Sequence, residues 1–181
     1  MNLNKIELSV VLRPTIKTLL MSEGIHIKTL RARIKRVLSD PRLTHLVPHH
    51  VELCLTLLDD NEIHGLNLEY RGKDKPTDVL SFSMLEGEAF TLPGEIATPL
   101  GDLMMSVETA LKQSKRGALP RIRPLLKDEK WGLSEELSFL ALHGLLHLLG
   151  FDHEVDQEAE EMEALEAALL SVILPKRVKQ R

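Results

Sequence analysis

The chain has very little cysteine, few aromatic residues and no long apolar run, and each shortage excludes a class of protein. Cys54 is its only cysteine, so no internal disulfide can form, and a reducing cytosol is the expected compartment. Aromatic residues make up 3% of the chain, so rows of stacked rings cannot hold a nucleic acid. No apolar run reaches the length of a membrane span, and the first residues lack the order of a secretory signal. We therefore expect a cytoplasmic protein with no membrane partner.

The 181 residues suit one globular domain spanning residues 1–181, with 43% hydrophobic and 28% charged residues. The net charge is −4, but residues 154–166 hold seven acidic residues and no basic one. The rest of the chain is therefore mildly basic, with clusters at residues 31–36, 71–75, 112–116 and 121–127 and a basic tail at 175–181. This distribution permits an RNA partner but does not by itself indicate one.

Three histidines near the C-terminal end form the most informative motif. His143 and His147 are four residues apart, so they share one face of a helix. Gly150 is suited to end that helix in a left-handed turn, which brings His153 back toward the same point. Three imidazoles fit a tetrahedral zinc site with an open fourth position, where a bound water loses a proton near neutral pH. The sequence therefore predicts one zinc ion per chain.

The spacing of these histidines is that of the zinc-protease motif H-E-x-x-H-x-x-G-x-x-H, with one difference. Gly144 occupies the position of the glutamate that acts as general base in those proteases. This opposes a metallopeptidase of the zincin-like type, which stays an alternative because the ligands are retained. The other alternative is that both helical histidines are hydrogen-bonded core residues, since residues 137–149 are apolar almost all round. Two histidines at helical spacing plus a third after the glycine favour the metal.

Apolar periodicity predicts the order of the secondary structure. Alternation predicts strands at residues 5–12, 51–58, 77–82 and 100–106. Helical spacing predicts helices over residues 27–40, 59–71 and 107–116, then the metal helix and an acidic helix, whereas residues 15–24 fit either a short helix or an insert. Glycine and proline indicate an exposed loop at residues 86–99 and a mobile basic connector at residues 117–132.

Side-chain chemistry predicts how some of these helices begin and pack. Asp59 is expected to cap the third helix, with Glu62 completing a capping box, and Ser134 is expected to cap the metal helix. Two sets of apolar side chains are expected to face inward, Ile63, Leu66 and Tyr70 on the third helix and Met162, Leu165, Leu169 and Val172 on the acidic helix.

Several short motifs occur in the order in which a known family has them. They are Leu66-Asn67, Tyr70-Arg71, the segment from Thr77 to Phe82, Gly101-Asp102 and the histidine motif with glycine in second place. In these the chain resembles the bacterial YbeY proteins, which are zinc-dependent endoribonucleases and rRNA maturation factors. The resemblance covers about residues 51–170, whereas residues 1–50 form an extended N-terminal region that resembles the family only loosely.

The resemblance implies a fold and a function. The fold is a single compact α+β domain, in which a small mixed β-sheet packs against helices and the metal site lies on a central helix and the turn after it. The resemblance also implies that His143, His147 and His153 hold one zinc ion. The implied activity is single-strand-specific cleavage of RNA in 3′-end maturation of 16S rRNA and in ribosome quality control. The partners are rRNA and ribosomal particles, and no DNA is expected.

The family's functionally important arginine corresponds to Arg71. A guanidinium group is suited to hold the oxygens of a phosphoryl group as negative charge develops on it. Alternatively, Arg71 only closes the last turn of its helix by bonding terminal carbonyls. Asp152 either orients a neighbouring metal ligand or caps a helix.

One further alternative is a non-catalytic ribosome-assembly factor with a structural zinc. Structural zinc sites usually have four protein ligands and favour cysteine, so three histidines favour an open site.

Overall fold

The predicted strands come together in one mixed sheet in a computed structural model, which describes residues 5–85, 96–128, 130–153 and 155–179. The strands are β1 Lys5–Leu12, β2 His50–Leu58, β3 Val79–Ser83 and β4 Thr98–Ser106. Their order across the sheet is β1-β2-β4-β3. β2 pairs in parallel with both β1 and β4, whereas β3 is an antiparallel edge strand. This confirms the small mixed sheet of an α+β fold.

Helices occupy much of the rest of the described chain. They are α1 Pro14–Ser22, α2 Ile27–Leu38, α3 Asp60–Arg71, α4 Val107–Ser114, α5 Leu133–Leu148 and α6 Asp156–Ile173, with a short 3₁₀ turn at Arg123–Leu125. The ambiguous segment at residues 15–24 is thus mostly helical, and β1 beside β2 makes the N-terminal region part of the sheet. None of the helices in the described ranges is long and apolar enough to cross a membrane.

The two faces of the sheet are covered by different helices. Leu103 and Met105 of β4 belong to the main core with α5, whereas Met104 between them packs with Leu58, Ile63 and Leu80. Successive side chains of a strand point to opposite faces, so α3, which carries Ile63, covers the face opposite α5. The central helix α5 also contacts α2, α4 and α6. It is therefore covered by the sheet on one side and by helices on most of the others.

Two predicted details of α3 and α5 are wrong. Tyr70 is 59% exposed rather than buried, although its ring lies 5.1 Å from that of Phe82. Ser134 lies inside the first turn of α5, where it accepts a hydrogen bond from Arg33, and the helix is instead capped at Gly132. The Glu135 carboxylate accepts from the Gly132 backbone N–H at 3.1 Å. The Asp59 cap of α3 is confirmed, since its carboxylate accepts from the Glu62 backbone N–H.

The segment at residues 117–132 is packed into the core rather than free. Its apolar residues supply the reason: Ala118, Ile122, Leu126 and Trp131 are all buried. Its backbone also pairs with the basic tail, because the Lys127 N–H donates to the Arg177 carbonyl and the Lys179 N–H donates to the Leu125 carbonyl. The predicted loop at residues 86–99 lies largely outside the described residues, and Thr98 and Pro99 already belong to β4.

Candidate metal centre

The helix α5 presents two histidines to solvent and almost nothing else. From Glu135 to Leu149 every residue is buried except His143 and His147. Their side chains are 19% and 24% exposed. The enclosure of α5 on its other sides explains the apolar composition of the run, and the four-residue spacing puts both imidazoles on its one open face. The helix therefore works as a buried support for a solvent-facing pair of imidazoles.

The turn after α5 adds the third histidine. Gly150 adopts a φ of 89°, and the Phe151 N–H bonds back to the Leu146 carbonyl at 3.0 Å. This left-handed helix end is the one that the sequence predicted. Asp152 accepts from the backbone N–H of His153 at 2.7 Å, and its carboxylate lies 3.9 Å from His147 Nδ1, beyond hydrogen-bond distance.

The three imidazoles converge at a spacing that suits a metal ion. One ligand nitrogen from each of His143, His147 and His153 lies within 4.8 Å of the other two. The Nε2 atoms of His143 and His147 are 3.3 Å apart. Two nitrogens at about 2.0–2.1 Å from a tetrahedral zinc ion would also be about 3.3 Å apart. The donor set and its separation therefore fit zinc.

The protonation state of His147 also favours a metal. Burial lowers the pKa of His147 below its ordinary value of 6.5, and repulsion from His143 and His153 lowers this pKa further. His147 therefore stays neutral around neutral pH, and the neutral imidazole is the form that coordinates metals.

Glu166 of α6 is a component of the site that sequence reasoning missed. In the sequence it is one of the seven acidic residues at 154–166 and was assigned no role, yet it is only 2% exposed. Its Oε1 lies 2.7 Å from His143 Nδ1, and its Oε2 accepts from Arg121 Nη2 at 3.0 Å. The available signal was its position, four residues after Met162 and three before Leu169 on the buried stripe of α6.

The structure explains why glycine stands where zinc proteases have their glutamate. A Cβ atom at Gly144 would lie 2.7 Å from Leu103 Cδ2 and 3.3 Å from Val79 Cγ2. This position therefore faces the sheet, and a Cβ atom there would require the Leu103 side chain to shift. A general base at this position would have to displace side chains of the sheet.

Arg71 is the last residue of α3, the helix that covers the face of the sheet opposite α5. Its side chain is exposed. No carbonyl of the described residues accepts a hydrogen bond from its guanidinium group, and the last-turn carbonyls of Asn67 and Leu68 are used by backbone N–H groups. The edge strand β3 connects the two regions, because Phe82 packs on Tyr70 and the hydroxyl of Ser83 donates to the Leu148 carbonyl.

Comparison with known proteins agrees with the histidine motif. A family model described as Endoribonuclease YbeY matches residues 17–173. The chain belongs to the YbeY family. The endoribonuclease YbeY of Syntrophotalea carbinolica is 39% identical over 155 residues, which are 84% of this chain and 89% of that relative. The endoribonuclease YbeY of Paramagnetospirillum magneticum is 43% identical over 124 residues, 68% of each chain.

A solved structure supports the fold. A Thermotoga maritima protein determined in solution has a TM-score of 0.50 and 21% sequence identity to this chain, with coverage of 93% of this chain and 90% of that one. At this level of identity the similarity concerns the fold alone. The family match, by contrast, begins inside α1, so it includes more of the N-terminal region than the motifs at residues 51–170 indicated.

Proposed function

We propose that this protein is a metal-dependent endoribonuclease that holds one zinc ion through His143, His147 and His153 and cleaves single-stranded RNA. The observation that carries the proposal is the convergence of three imidazole donors on the only open face of an otherwise buried helix. A site that faces solvent with three protein ligands leaves a coordination position for water or substrate. The relatives of the chain are named endoribonucleases, which supports RNA as the substrate.

The histidines and Arg71 have different roles in the proposed reaction. Bound zinc would polarise a phosphoryl oxygen and lower the pKa of a coordinated water. The three histidines supply neutral nitrogen donors, and the buried body of α5 fixes the positions of two of them. Arg71 is proposed as the catalytic residue that holds the phosphoryl oxygens through paired hydrogen bonds, which a guanidinium fork makes well. RNA bound at the metal would then have to reach across the β3 edge to meet it.

The proposed cellular role is 3′-end maturation of 16S rRNA and ribosome quality control in the cytoplasm, with rRNA and ribosomal particles as partners. Support comes from the resemblance of the motifs to the YbeY proteins and from the basic clusters outside residues 154–166. These clusters give the chain cationic surface for a phosphate backbone despite its net charge of −4.

The proposal is tested by incubating the zinc-loaded protein with single-stranded RNA, with double-stranded RNA and with casein. We expect cleavage of single-stranded RNA alone, and its loss in His143→Ala. The matched control is His45→Ala, which removes an exposed histidine outside the cluster. Cleavage of casein would support the metallopeptidase alternative. A zinc-loaded protein that binds RNA without cutting it would support the structural-zinc assembly factor.

A further inference from the structure

We infer that Glu166 is a positioning residue of the metal centre: clamped by Arg121, its carboxylate fixes the His143 ring in the tautomer whose Nε2 lone pair faces the metal. The inference deepens the proposed function and rests on it, because it assigns a role toward the same three-histidine site. It concerns a residue on α6, a different element from those that carry the ligands.

Hydrogen bonds link His143, Glu166 and Arg121 in one series. Both oxygens of the Glu166 carboxylate are used, Oε1 toward His143 Nδ1 at 2.7 Å and Oε2 toward Arg121 Nη2 at 3.0 Å. Arg121 is itself held, since its guanidinium carbon lies 5.5 Å from the centre of the Phe139 ring. Its Nε also lies 3.5 Å from Glu163 Oε1. Phe139 is one turn before His143 on α5, so the series of contacts begins and ends on the metal helix.

The chemistry of the groups decides the tautomer. A carboxylate can only accept hydrogen bonds, so His143 Nδ1 must carry the proton. In a neutral imidazole the other nitrogen then keeps its lone pair. That nitrogen is Nε2, which lies 3.3 Å from His147 Nε2 in the ligand cluster. In the opposite tautomer a hydrogen on Nε2 would occupy the direction of the metal, and the Nδ1 lone pair would face the carboxylate.

Packing alone does not require a carboxylate at this place. The other buried residues of α6 are apolar, namely Met162, Leu169, Leu170 and Ile173. Burial of an ionised group costs free energy unless it is paired and hydrogen-bonded, and an apolar residue of similar volume often serves a core as well. Glu166 is buried with two specific partners, one of which is a ligand of the proposed metal. Carboxylates that accept from a ligating imidazole orient the ring and raise its basicity.

The test uses Glu166→Gln, which keeps the size and shape of the side chain. Arg121 can only donate, so the amide oxygen turns toward Arg121 and the amide NH₂ group faces His143 Nδ1. The His143 ring must then accept at Nδ1 and carry its proton on Nε2. We expect zinc affinity, measured by chelator competition, to fall on the order of 10- to 100-fold.

A second readout reports the tautomer without metal. Nitrogen-15 spectra of the imidazoles in the metal-free protein, at about pH 8 and so above the ordinary histidine pKa, distinguish the two forms. We expect the proton on Nδ1 of His143 in the wild type and on Nε2 in Glu166→Gln. The matched control is Glu161→Gln, which removes an exposed acid of the same helix outside the His143–Glu166–Arg121 series. It should leave both readouts unchanged.

A rescue variant separates positioning from general damage. In the double variant Arg121→Met, Glu166→Gln, the amide is free to turn its oxygen toward His143, so zinc affinity should recover relative to Glu166→Gln. Wild-type zinc affinity with an unchanged tautomer in Glu166→Gln would overturn the inference. So would a wild-type protein with the His143 proton on Nε2, whether or not the variants fold. A wild type that binds no zinc but shows the Nδ1–H form would contradict the proposed function alone.

Discussion

At the residue scale, each histidine depends on its neighbours for its charge or its direction. Burial lowers the pKa of His147, the Glu166 carboxylate lies against His143 Nδ1, and Asp152 accepts from the backbone N–H of His153. Each of these contacts brings an imidazole toward the neutral state or the orientation that a metal needs. The site is therefore prepared by the protein before any metal binds.

The depressed pKa of His147 predicts how metal binding depends on pH. Because this pKa is lower than 6.5, the folded chain binds fewer protons here than the unfolded chain does as the pH falls below 6.5. The contribution of His147 to folding stability is therefore present above that value and lost as the pH falls through the folded pKa. Metal binding follows the same direction, since protons compete for the ligand nitrogens.

We accordingly expect zinc affinity to change little from pH 8 to 7 and to fall steeply below about pH 6. Chelator competition titrations across this range measure it. An affinity that is the same at neutral and mildly acidic pH would contradict coordination by three imidazoles.

The role of Arg71 also belongs to this scale. If its guanidinium group holds the scissile phosphate, Arg71→Lys keeps the charge but loses the paired hydrogen bonds. We expect single-turnover RNA cleavage to fall on the order of 10²- to 10³-fold, with zinc content and thermal midpoint unchanged. Arg36→Lys is the matched control, because it is another exposed arginine in the last turn of a helix. If a stable, zinc-loaded Arg71→Lys variant cleaved RNA at the wild-type rate, Arg71 would have no catalytic role that requires a guanidinium group.

At the scale of elements, close packing at Gly144 sets the distance between the metal helix α5 and the sheet. The contact depends on Gly144, where an added methyl group would meet Leu103. Leu103 is fully buried, so a shift of its side chain would disturb the packing of its neighbours. Any displacement of α5 would carry His143 and His147 with it, which couples the packing of this one glycine to the geometry of the site.

A pair of glycine substitutions tests this packing. Alanine favours helices by about 0.8–1.0 kcal/mol over glycine, but overpacking a core costs about 1–3 kcal/mol. We therefore expect Gly144→Ala to lower the free energy of unfolding. Gly65→Ala, in α3, has no atom within 4 Å of its new Cβ and should raise stability by up to about 1 kcal/mol. Denaturant titrations of both variants decide it, and a stabilising Gly144→Ala would show that α5 is not tightly packed here.

At the scale of the whole molecule, local patterns allowed much of the fold to be predicted and tertiary contacts account for what was missed. Alternation located β1 and β2, and the glycine stop located the turn that carries His153, because both signals lie within a few residues. Glu166 was missed and Tyr70 was misjudged because burial depends on which elements meet. Ser134 was misjudged because Arg33, 101 residues earlier, donates a hydrogen bond to it. The packing of residues 117–132 depends on the tail that pairs with them, a contact without a local pattern.

The whole account depends on one metal ion held by three histidines. Elemental analysis of the purified protein tests this most directly, with His45→Ala as the control for loss of a histidine outside the cluster. We expect close to one zinc per chain in the wild type and in the control, and a strong loss in His147→Ala, because a three-ligand site has no spare donor. Near-stoichiometric zinc retained in the His147→Ala, His153→Ala double variant would contradict the proposed metal centre.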